Sequence, residues 1–203
     1  MPLTALPSEH IPAATPATYA LAVLMCFDAA RLPSRVDGDG NLSSLFGQDR
    51  SRWDRQLIAE GQAFLDLAAT GTQTTVYHLE AAIASAHSTA SHAGGTDWDR
   101  IVELSDMLMT IRPSAIVELN RAVAIAQLDG PERGLEAMCA IRDQDRLKSY
   151  PLYFAALGEL ESQCGRHVTA SGHFQEAARF ARNPMERRFF EQRINELRRH
   201  SAE

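Results

Sequence analysis

The 203-residue chain reads as all-α, built of consecutive helical hairpins that stack into a solenoid with a capping C-terminal helix, and three observations predict this. Apolar residues recur at three- and four-residue spacings in every long segment. No strand-type alternation lasts more than a few residues. Small residues also stand where two helices would cross, most plainly from Phe154 to Ala177: Gly158 and Ala170 lack bulk, Phe154, Leu157 and Phe174 fill the space toward neighbouring helices, and Gly165 falls at the turn. At 45% hydrophobic content the chain can bury a substantial core, and a single helical domain over residues 18–203 is the expectation.

Taken in order, residues 1–17 hold Pro2, Pro7, Pro12 and Pro16 and read as an extended arm or linker, because proline lacks the N–H a helix interior needs. From Thr18 the run Tyr19, Leu21, Ala22, Val23, Leu24, Met25 and Phe27 predicts a buried helix ending near Ala30, ahead of Pro33. Residues 36–41 are turn-rich. The next helix is expected from about Ser51, which can cap it, with Asp54 favoured by the positive helix end. Trp53, Leu57, Ile58, Phe64, Leu65 and Ala68 line it, and Gly71 supplies a stop signal. Thr74 or Thr75 can cap a further helix lined by Leu79, Ala82, Ile83 and Ala86. After a loop over residues 88–95, Thr96 with Asp99 resembles a capping box, and Trp98, Ile101, Leu104, Leu108 and Met109 form a stripe that ends before Pro113.

Ile116, Leu119, Ala122, Val123 and Ala126 line the following helix, closed by Gly130 and Pro131. Pro184 then opens a last helix, to about Arg198, with Phe190, Ile194 and Leu197 on one face. Counted from Pro151, the small and large positions of the 154–177 hairpin resemble a tetratricopeptide repeat, and Gly130 stands 35 residues before Gly165, close to the roughly 34-residue period of that repeat. A second, degenerate repeat over about 116–150, with Leu135, Met138 and Ile141 on its second helix, follows from that spacing.

Several function classes find no support. Cys26, Cys139 and Cys164 stand singly, without CxxC spacing or an even count, so neither a disulfide framework nor a zinc site is expected. A reducing cytoplasm fits them best. No segment approaches the roughly 18 uninterrupted apolar residues of a membrane span, so no membrane partner is expected. Asp37, Asp39 and Asn41 match the first ligands of a calcium loop, but Leu42 and Gln48 occupy the positions that need Gly and a bidentate Glu. His78 and His87 are too far apart for a helical metal pair. No nucleophile elbow, P-loop or dinucleotide fingerprint occurs. The expectation is a protein without catalysis, cofactor or metal. The net charge of −6 argues against nucleic-acid binding by the whole chain, although residues 179–200 carry seven arginines against three glutamates.

Two clusters stand out as protein-binding candidates. Gln48, Asp49, Arg50, Arg52, Trp53 and Asp54 crowd a helix start, and Arg with Trp is the pairing that binding hot spots favour; a core Trp with a surface charge network is the alternative. Asn120 and Arg121 interrupt an apolar helix at a place where a repeat protein lines its groove, or where any helix meets solvent.

The segments QDRSRWD (48–54), AAIASAH (81–87), TDW (96–98), LNRAVAIAQLDGPERGL (119–135) and ERRFF (186–190), in that order, resemble the C-terminal tetratricopeptide-like extension of a group of bacterial extracytoplasmic-function sigma factors. Ser43, Ser44 and Ser105 depart from the pattern. In that family the extension follows two helical domains that recognise promoter DNA and bind core RNA polymerase, and neither is present here. The resemblance implies a regulatory, protein-binding module in the cytoplasm, either a fragment or a separate gene product. Its partners would be the sigma-factor DNA-binding domains, core RNA polymerase or both, with no specific DNA binding by this chain alone. A freestanding adaptor without a role in transcription is the alternative.

Overall fold

The computed structural model describes residues 14–38 and 41–200. Residues 1–13 of the expected arm, and Asp39 of the expected turn, lie outside the described residues. Among those described the regular structure is helical throughout, with no extended strand. The described residues divide into two compact units, residues 14–37 with 43–112 and residues 38 and 41–42 with 113–200.

In the first unit, α1 (Pro16–Ala30), α2 (Arg55–Ala68), α3 (Val76–Thr89) and α4 (Trp98–Ile111) follow in order. Pro16 belongs to α1 and not to the arm. It sits in the first turn, where the missing N–H costs nothing, and Thr15 Oγ1 accepts from Thr18 N to cap the helix. Helix α1 packs against both α2 and α3, and α3 against α4. The core between α1, α2 and α3 consists of Ala20, Val23, Phe27, Ala68 and Ala81, with Tyr19, Ile58, Phe64 and Leu65 against it. Gly61 is required here: a Cβ at that position would come within 2.6 Å of the Phe27 ring, so glycine lets α2 close on α1.

Three boundary expectations are corrected. Helix α2 begins at Arg55 under an Asp54 cap, because Ser51 is taken up in a preceding 3-10 turn over Arg50–Arg52. It ends at Ala68, and Gly71 does not adopt the left-handed backbone of a glycine cap. Helix α4 is capped by Asp97, whose carboxylate accepts from Arg100 N at 3.0 Å, since Thr96 is buried and turned inward. On α3 Leu79 of the expected face is buried, Ala82, Ile83 and Ala86 are half-buried, and Ala81, beside that face, is also sealed from solvent.

In the second unit α5 (Ala115–Asp129), α6 (Pro131–Cys139), α7 (Pro151–Gln163), α8 (His167–Arg179) and α9 (Pro184–His200) each pack chiefly on their neighbours in sequence. Gly130, with φ +98°, joins α5 to α6, and Gly165, with φ +75°, lies between α7 and α8. Both conformations are costly for residues with a Cβ. At the α5–α6 crossing Gly134 meets Ala126, and at the α7–α8 crossing a Cβ on Gly158 would lie 2.9 Å from the Phe174 ring. Leu119, Ala122, Met138, Leu147 and Leu160 form one core; Ala170, Phe174, Phe190, Ile194 and Leu197 form another, so α9 covers α8 with the apolar face expected of it. Ile141 is buried, but it follows the end of α6.

Candidate protein-binding surfaces

The segment 48–54 is drawn together by its own side chains. The Asp49 carboxylate accepts from Ser51 N at 2.9 Å and Ser51 Oγ at 2.6 Å, which closes the 3-10 turn; those two bonds hold its carboxyl below the usual carboxylate range. Asp54 Oδ1 accepts from Gln56 N and Leu57 N at 2.9 and 3.1 Å, and the Asp54 backbone N–H donates to the Ala30 carbonyl at 3.0 Å, fixing the start of α2 to the end of α1.

Between these two caps Arg50 points inward. Its Nη1 donates to the carbonyls of His87 and Ala90, both at 2.9 Å, and its Nη2 to Thr96 Oγ1 at 3.2 Å. The carbonyls belong to the C-terminal end of α3, where helical acceptors are left over and the dipole favours a cation. The Arg50 guanidinium also lies 5.0 Å from the centre of the Trp53 ring, and that of Arg31 lies 5.6 Å from it. Burial lowers the pKa of both arginines from the usual value. His87, beside them and edge-on to Trp98 at 5.3 Å, is pushed down to about 4, first by burial and then by the charges of Arg31 and Arg50. Gln48 accepts from Ser34 Oγ at 3.3 Å and donates to the Ser43 carbonyl at 3.4 Å.

The structure places the six protein-binding candidates of 48–54 in two groups. Gln48, Arg50 and Trp53 are 9%, 6% and 3% exposed and brace the first unit from within. Asp49, Arg52 and Asp54 are exposed, but two of them are occupied as caps. The spacing of charges in the sequence did not reveal which arginine turns inward, because the acceptors for Arg50 stand 37, 40 and 46 residues later.

On α5, Asn120 is exposed and Arg121 half-buried between the buried Leu119 and Ala122. The two binding candidates are thus separate features of separate units. A third feature escaped the sequence reading beyond its arginine density: Arg182, Arg187 and Arg188 line one groove at the start of α9. Among the described residues no group of three or more His, Cys, Asp or Glu is placed to hold a metal ion, and no helix is long and apolar enough to cross a membrane.

A family of unknown function, DUF6596, matches residues 1–69, which include α1, the 48–54 brace and α2. An uncharacterized protein of Rhizobium meliloti (strain 1021) is 33% identical over 184 residues, covering 91% of this chain. The chain spans 43% of that relative's length. No solved structure matches.

Proposed function

We propose that this chain is a tetratricopeptide-like, protein-binding module that regulates an extracytoplasmic-function sigma factor through contacts with the sigma-factor DNA-binding domains, with core RNA polymerase, or with both. The observation that carries the reading is the pair of hairpins α5–α6 and α7–α8, whose turn glycines Gly130 and Gly165, both at positive φ, are 35 residues apart, close to one repeat period, and whose helices cross at Gly134 and Gly158. Helices that pack mainly on their neighbours in sequence leave extended faces free, the property that repeat proteins use for recognition. The five ordered segments that resemble the sigma-factor extension supply the link to transcription. A 43% share of a longer relative suits a module within a larger polypeptide.

Such a module acts by contact and in the cytoplasm, and performs no catalysis. The test is calorimetric titration of the chain with separately expressed DNA-binding domains of an extracytoplasmic-function sigma factor from the same genome, and in parallel with core RNA polymerase. Saturable association with either is expected. Absence of binding to both, with the chain folded, would leave the freestanding adaptor as the better reading.

A further inference from the structure

We infer that the groove at the start of α9 docks an acidic segment of a partner protein. The groove has a volume of about 420 Å³ and is lined by Arg182, Asn183, Pro184, Arg187, Arg188 and Glu191. Its three arginines are exposed, and none forms an ion pair among the described residues, whereas Arg179 at the end of α8 and Arg193 further along α9 are matched with Glu176 and with Glu159 and Glu196.

The local carboxylates do not neutralise them. Glu186 is spent on the backbone: its Oε2 accepts from Arg182 N at 2.8 Å, while Asn183 Oδ1 accepts from Glu186 N at 2.8 Å, so the pair caps α9. Glu191 lines the groove without pairing to any of the three. Arg182 is held in place by Tyr150, whose ring centre is 5.2 Å from its guanidinium. One arginine ahead of the helix and two within its first turns thus face one concavity, in a chain whose net charge is −6. A partner's acidic segment is attracted here against the general repulsion of the molecule.

Carboxylates fit this groove better than a nucleic-acid backbone does. The guanidinium fork takes a carboxylate by two parallel hydrogen bonds, and the cavity holds a few side chains. A duplex needs a longer run of cations than the three gathered here. The inference stands apart from the sigma-factor reading, since it specifies the chemistry of a partner and not its identity.

The probe is a short fluorescein-labelled peptide of glutamate and leucine, followed by anisotropy with the full chain at physiological salt, beside a glutamine–leucine counterpart and DNA oligonucleotides of equal charge. The acidic peptide should bind, and Arg187→Glu with Arg188→Glu should weaken it by about tenfold or more, the scale of losing charge-assisted bonds. Arg198→Glu with Arg199→Glu makes the same change of charge on the exposed end of the same helix and should alter binding by less than about threefold, as for screened surface charge. Thermal melting should be the same for both variants. No peptide binding by the wild type, an equal loss in the two variants, or tighter groove-dependent binding of DNA would each overturn the inference.

Discussion

Arg50 illustrates how little a residue's type says about its exposure. It is a cation placed between two exposed acids, yet three of its hydrogen bonds and its stacking on Trp53 are internal. Replacing it by Ala strands two helix-end carbonyls and removes the stem that packs on the indole. Arg50→Ala should therefore cost about 2–4 kcal/mol, whereas the exposed Arg52→Ala should stay within about 0.5 kcal/mol; chemical denaturation of the two variants checks the contrast. His87 makes a prediction about pH. Its folded pKa of about 4 lies below the ordinary 6.5, so the unfolded chain takes up its proton first. The native state loses stability as pH falls through 6.5 toward 4, by up to about 3 kcal/mol from this group. Denaturation midpoints measured across that window for wild type and His87→Gln should converge in slope at neutral pH and diverge in acid, the variant being the less sensitive.

Among the helices, three glycines of the α7–α8 hairpin separate space from backbone conformation. At Gly158 an added side chain meets the Phe174 ring, so Gly158→Leu forces the helices apart and should cost about 3 kcal/mol, the upper end for overpacking. Gly165 has open space around its missing Cβ but a φ of +75°, and Gly165→Ala should cost about 1–2 kcal/mol through strain alone. Gly172 also faces open space, within the interior of α8. There Gly172→Ala should raise stability by about 0.5–1 kcal/mol, because alanine gives up less backbone freedom on entering a helix. Thermal melting of the three variants tests the register of the hairpin; an unchanged midpoint for Gly158→Leu would move that position out of the crossing.

For the molecule as a whole, charge is the property that bears on partners. A net −6 with arginines gathered near α9 predicts weak DNA adhesion that falls steeply with salt and carries no promoter preference. Electrophoretic mobility shifts with promoter and random duplexes at physiological salt should show neither binding nor discrimination by the chain alone.

Local chemistry accounts for what was legible in the chain. The helical period marked the long helices because each buries an apolar stripe on a neighbour, and Gly130, Gly165, Pro131 and Pro184 marked the turns because backbone sterics act at the residue itself. Helix starts were harder to place, since Ser51, Asp54, Thr96 and Asp97 all carry a capping oxygen and the choice among them depends on what else each side chain touches. Thr96 lost its cap role to the buried guanidinium of Arg50. The fate of the polar candidates lay beyond local pattern for the same reason. Arg50 finds its acceptors at the far end of α3, 37 and 40 residues along the chain. A side chain's own type sets which bonds it needs, but the packing of distant segments determines whether protein or solvent supplies them.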